Sequence, residues 1–344
     1  MSIVSRSWFP SPRQGPAAIA FFDELRRNGF IEGQNLAVVP DGFDADYGHL
    51  PELVAALVKA APDAIIAGPA RALQALQSVT HTIPLIGMTE DMVAEGVVPS
   101  FAHPGGNITG VSLLSPELDT KRQEILIEAV PGARKIAAMA DANAAPEYHL
   151  QALEHAARSR GVELSVFRVG GPGEITSAID AAKASGAEAL NFLATPLFSV
   201  PGSQNNRVVL DRVAAVRLPS IFQFPETAEA GALAGYGSRI TDLYRQRARI
   251  TVQVLRGTKP ADIPVQQPDK FELVINLKAA KAIGVEVPAT LVARADTPGI
   301  GLGSPRCWRG DQRRSRPSRS PTRSPAWAMM ARGERYKEPA ALAA

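Results

Sequence analysis

Cysteine is almost missing from this 344-residue chain. The single Cys307 excludes an internal disulfide and any cysteine-based metal cluster. Long apolar runs are missing too: no stretch approaches the roughly 18 residues that a membrane-spanning helix needs, so a helical membrane protein is excluded. An export signal would show a basic start, then about 7 to 15 apolar residues and a small-residue cleavage site. The opening MSIVSRSWFPSPRQGP shows none of these, so no signal is expected in the chain as written.

Basic charge is scarce in the body. Ten of the 37 Lys/Arg fall after Asp296 with only three Asp/Glu, leaving residues 1–296 with 27 against 31. The sequence pI of 9.1 therefore does not describe a basic body that seeks phosphate, and no specific nucleic-acid partner is expected. Catalytic signatures are absent as well: there is no Walker loop and no G-x-S-x-G elbow. GIGLG at 299–303 lacks the preceding strand and following helix that a dinucleotide loop requires. The histidines, at 49, 81, 103, 149 and 155, do not pair at ligand spacing, so they are expected to be solvated or capping, with no metal and no cofactor.

What is present is alternation. Short β-branched runs at 35–39, 63–68, 84–89, 107–112, 135–140, 162–167, 188–194, 219–224 and 232–237 are mostly separated by helical patterns of ten or more residues. Ser115 and Pro116 read as an N-cap and first turn, while Gly161 and Gly257 read as left-handed helix ends. Strand and helix repeated this often imply an α/β fold with parallel sheets covered on both faces, two in number. Residues 297–344, rich in Arg, Ser and Pro, read as a disordered basic tail, a solvated appendage in preference to a phosphate-binding arm.

Open parallel sheets bind ligands beyond the carboxyl ends of their strands, where helix N-termini offer free N–H groups. Gly68 and Pro69 follow one such strand, Thr89 and Asp91 another, and Thr195 a third; Gln223 lies near the end of PSIFQF. An anion-accepting helix end facing an aspartate suits an amino-acid zwitterion. Asp91 and Thr195 are equally suited to plain helix capping.

The blocks NGFIEGQN, HPGGNITGVS, LAGYGSRITDLYRQ, LRGTKPADIPVQQP and KFELVINLKAAKAIGVEVPATLVARAD resemble the ABC transporter substrate-binding family, in its tryptophan/tyrosine-type periplasmic branch, over residues 15–296. The resemblance implies a type I periplasmic-binding fold: two Rossmann-like α/β lobes joined by three chain crossings, closing by hinge motion on a ligand in the cleft. It places the first lobe at 1–110 with 234–268 and the second at 111–233 with 269–296. The crossings fall at NITGVS, at 232–237 and before KFELVINL, and Ile3-Val4-Ser5 stands for the first strand.

Carried over by position, Asp91, Asp141, Asn143, Thr195 and Tyr236 fall at cleft positions, although the prolines expected after several of them are missing. The implied partners are a small-molecule ligand and an ABC permease with its ATPase, the implied state a monomer, the implied place the periplasm, and the implied chemistry none. A cytoplasmic ligand-sensing protein of the same fold, which the missing signal would suit, is the alternative. An α/β enzyme ranks third because no acid/base or nucleophile set emerges.

Overall fold

A computed structural model of the chain describes residues 2–6, 15–39, 50–143 and 147–298. Both sheets belong to one compact unit. The first half runs β1 (Ser2–Arg6), α1 (Pro16–Arg27), β2 (Leu36–Val39), α2 (Leu50–Lys59), β3 (Ala64–Ala67), α3 (Ala70–Val79), β4 (Leu85–Thr89) and β5 (Ile108–Ser112). Then follow α4 (Ser115–Ala129), β6 (Lys135–Asp141), α5 (Glu147–Ser159), β7 (Glu163–Val169), α6 (Ile175–Ala184) and β8 (Ala189–Phe192). Next come α7 (Pro196–Ser199), α8 (Gln204–Val216), β9 (Ser220–Phe222), α9 (Pro225–Ala230), β10 (Ala234–Gly237) and α10 (Ile240–Leu255). The last elements are β11 (Glu272–Ile275), α11 (Leu277–Ile283), α12 (Ala289–Val292) and β12 (Thr297–Pro298).

The first sheet is five-stranded and parallel, in the order β2-β1-β3-β4-β5. Its central strand AIIA is buried throughout, as a strand covered on both faces must be. Phe21 and Leu25 of α1 and Leu243, Tyr244 and Ala248 of α10 cover one face. Val54 and Leu57 of α2 with Leu73 and Leu76 of α3 cover the other. Those α10 residues recur at helical spacing, which is why the stretch folds as one long amphipathic helix.

The second sheet has seven strands, in the order β12-β11-β10-β9-β8-β6-β7. Helices α6 and α8 pack on one side of it around Ile179, Val209 and Val213. Helices α4 and α11 pack on the other around Ile125, Leu126 and Ala280.

Four expectations are corrected. The sheets are not wholly parallel: β10 and β11 run antiparallel, in register from Ala234↔Ile275 to Gly237↔Glu272. Residues 234–237 belong to the second sheet, because β10 is a buried run that also pairs with β9; residues 111–112 complete β5 in the first. The crossings therefore follow those strands, at Leu113–Leu114 and Ser238–Arg239, instead of lying within NITGVS and 232–237. The third crossing lies in the stretch before β11, where Gln266 bridges to Val111 on β5. The chain does not stop folding at Asp296, since Thr297–Pro298 adds an edge strand parallel to β11; residues 299–344, with GIGLG, lie outside the described residues. Finally, Ser115 is the first residue of α4 and not its cap. The position before it is Leu114, left-handed at φ 55°, because the chain must swing from β5 to a helix of the other sheet within two residues.

Candidate ligand-binding cleft

The strand ends of both sheets line a narrow cavity that opens to solvent. The first sheet contributes Gly68 and Pro69 after β3, Met88 and Glu90 at the end of β4, and Leu113 after β5. From the second sheet come Thr195 and Pro196 after β8 and Gln223 and Phe224 after β9. The buried face of α10 closes the floor with Ile240, Tyr244 and Arg247. One polar contact spans the cleft: Gln223 Nε2 donates to Glu90 Oε2 at 3.1 Å.

Of the positions singled out in the sequence, Gly68, Pro69, Thr195 and Gln223 stand on the cavity wall. At Gly68 a Cβ would collide with the Met88 carbonyl oxygen, so the backbone itself forms the wall there. Thr195 caps α7 by accepting from Leu197 N at 3.3 Å and donates to Asp141 Oδ2 at 2.9 Å.

The other five lie off the wall. Asp141 supports Thr195 and accepts from the Asn143 amide at 2.9 Å, and Asn143 turns back to Asp141 and to the Gly170 carbonyl. Asp91 caps its own turn, accepting from the amides of Val93 and Ala94 at 3.0 Å each. Thr89 is buried within β4, its carbonyl accepting from Leu113 N. Tyr236 packs its ring on Phe271, 6.4 Å between centroids, beside the third crossing.

A buried ion pair holds the β8 end in place. Arg122 and Asp119 of α4 are both essentially inaccessible, with Arg122 Nε donating to Asp119 Oδ1 at 3.0 Å. Asp119 also accepts from the Ala194 amide at 3.2 Å, and Arg122 Nη1 reaches the Tyr236 carbonyl at 3.0 Å. The pair thus fixes both the loop that presents Thr195 and the strand that precedes the second crossing. His149, expected to be solvated or capping, is instead buried with Nε2 at 3.4 Å from Asp119 Oδ2. Among the described residues no cluster of His, Cys, Asp and Glu could hold a metal ion.

The second and third crossings are laced together. Ser238 Oγ donates to the Lys270 carbonyl at 2.7 Å, and Arg239 pairs with Glu229 and Glu272 at 2.8 and 2.7 Å. Glu226 sits beneath this lace and accepts the first amide of α10, Ile240 N, at 3.1 Å. Burial pushes its carboxyl up to about 7, against the opposing hydrogen bonds to backbone and the nearby charge of Arg239.

Sequence reasoning missed Arg247, Tyr244, Glu90 as a wall residue, and the apolar lining. Arg247 carried a usable signal: it occupies the apolar stripe of α10 in step with Ile240, Leu243, Tyr244, Ile250 and Val254, where a charge is out of place. The others could not be found from periodicity, since which strand ends converge depends on the crossings.

Comparison with known proteins agrees with this geometry. A curated relative, the tyrosine-binding protein of Clostridioides difficile (strain R20291), is 25% identical over 280 residues, which cover 80% of this chain and 78% of that protein. The ABC domain in complex with L-Trp from Streptococcus pneumoniae superposes with a TM-score of 0.73 at 24% identity, covering 86% of this chain and 98% of that one. The transcription regulator CcpA of Lactococcus lactis has the same fold at 11% identity, with a TM-score of 0.54 and coverage of 79% and 97%. The family model for ABC transporter substrate binding proteins matches residues 17–298, nearly all of the two-sheet body. The chain therefore belongs to the ABC transporter substrate binding protein family, with the type I periplasmic-binding fold.

Proposed function

We propose that this chain captures an amino acid, or a similarly small polar organic solute, in the cleft and presents it to the permease and ATPase of an importer. The observation that carries this reading is the cavity itself, built from strand ends of two sheets and spanned by the Gln223–Glu90 contact. A ligand held by both walls favours the closed arrangement by its differential affinity for it, and the closed arrangement is what a permease reads. The mixture of apolar wall and few polar groups fits a ligand with an apolar body, as do the tyrosine and L-Trp in the names of the two relatives. On this reading the protein binds without turnover, acts as a monomer, and works on the outer side of the cytoplasmic membrane. Among the described residues no helix is long and apolar enough to cross a membrane.

The test is a thermal-shift screen of the purified chain against the common amino acids. A ligand at a hundredfold excess over Kd adds about 2.7 kcal/mol of stability. An aromatic or large apolar amino acid is expected to raise Tm by several degrees; a flat response across the whole panel would reject the reading.

A further inference from the structure

Arg247 is 1% exposed, sits halfway along α10 and forms part of the cavity floor. Its Nη2 donates to two backbone carbonyls, those of Ala67 and Ile86, the latter at 2.9 Å. Its Nε is buried with no acceptor. Among the described residues no carboxylate lies within ion-pair distance of it. Another inaccessible arginine shows the contrast: Arg122 is matched by Asp119 one turn earlier in its own helix. A buried cation without a counter-charge is costly, and burial lowers the Arg247 guanidinium only to about 10, so it stays charged at neutral pH. The two carbonyls that hold it are those of Ala67, the last residue of β3, and Ile86, the second of β4, in the strands that lead to the wall residues Gly68 and Met88. The rest of the wall around it is largely apolar, with Met88, Leu113, Val200 and Phe224.

We propose that Arg247 is the specificity-determining residue of the cleft: its guanidinium takes the carboxylate of the ligand, which restricts the site to monocarboxylates with an apolar body. This rests on the solute-binding reading above and narrows it. The ligand supplies the missing counter-charge. Nη2 spends both of its hydrogens on the two carbonyls, so Nη1 is the donor left for a carboxylate oxygen, in a charge-assisted hydrogen bond that an amide or amine of the ligand cannot replace.

The experiment compares each of L-tyrosine, L-tryptophan, L-phenylalanine and L-leucine with its own amide and with the amine that lacks the carboxylate, by calorimetry on the full chain. Wild type is expected to bind the acid about 100-fold more tightly than the amide or amine, the scale of losing one buried charged partner. In Arg247→Met that preference should fall to within about threefold, while the ligand-free variant melts at or above wild type because an unmatched buried charge has gone. Arg247→Lys keeps the charge and should retain a reduced preference for the acid, which guards against misfolding of the methionine variant. Amides or amines that bind wild type as tightly as the acids overturn the carboxylate assignment and leave solute binding standing. An undiminished preference in Arg247→Met overturns it as well. Silence of every acid, amide and amine on wild type overturns both the assignment and the amino-acid reading.

Discussion

Gly68 and Glu226 show what a single residue decides in this cleft. A methyl group at Gly68 would meet the Met88 carbonyl oxygen in the neighbouring strand, and backbone cannot step aside as a flexible side chain can. Gly68→Ala is therefore expected to cost about 1 to 3 kcal/mol, read as a lowered urea midpoint, and to weaken ligand binding by displacing the wall. Glu226 acts through its proton. Its folded carboxyl titrates at about 7 against an ordinary 4.5, so between those values the folded chain holds a proton that the unfolded chain has released. Stability should thus fall as pH rises from 4.5 to about 7 and level off above, by at most about 3 kcal/mol. Glu226→Gln should remove that slope and raise Tm at pH 8, which a pair of thermal melts at pH 5 and pH 8 would show. Neither property was legible in the sequence: Gly68 was marked for its place after a strand, but its crowding comes from β4, and Glu226 is desolvated only because α10 begins beside it.

Elements were far easier to read than their neighbours. The period-2 and period-3.6 patterns located nine of the strands, β2 to β10, to within a few residues, because inner strands such as β3 are buried on both faces and read as apolar runs. Asn276 caps α11, accepting from the Ala279 amide at 2.9 Å, and Gly284 closes the helix at φ 80°. The same side chain also donates to the Ala228 carbonyl at 2.8 Å, a tertiary bond that no local pattern announces. Asn276→Ala should accordingly cost about 2 kcal/mol, more than an exposed cap, while Asn276→Asp should keep the cap and lose only the second bond; chemical denaturation of both would separate the two terms. Ser115 was misread because its cap position was judged from residue type alone, when the geometry there is set by a crossing between sheets. Of the nine positions marked for ligand, those following β3, β8 and β9 reached the wall, whereas Asp91, Asp141 and Asn143 were drawn into local turns, the common use of Asp and Asn after strands.

At the scale of the whole molecule, the cleft exists because the chain passes between the sheets three times and brings two sets of strand ends face to face. Removing the Gln223–Glu90 contact tests how far it holds the walls together. Gln223→Ala should raise the radius of gyration of the ligand-free protein in small-angle scattering, and saturating ligand should return it to the wild-type value; no change in the free protein would show that apolar contact alone closes the cleft. Helix α10 has a further consequence. Its first amide is held by Glu226 under the laced crossings, and two turns later it carries Tyr244 and Arg247 on the cavity floor. Floor and crossing thus share the first turns of one stiff rod. An isotope-exchange measurement should therefore find the Ile240 amide slowed when the cavity fills, since its side chain lies on the floor while its N–H is held by Glu226, and the rod would report occupancy at the face where the chain changes sheets.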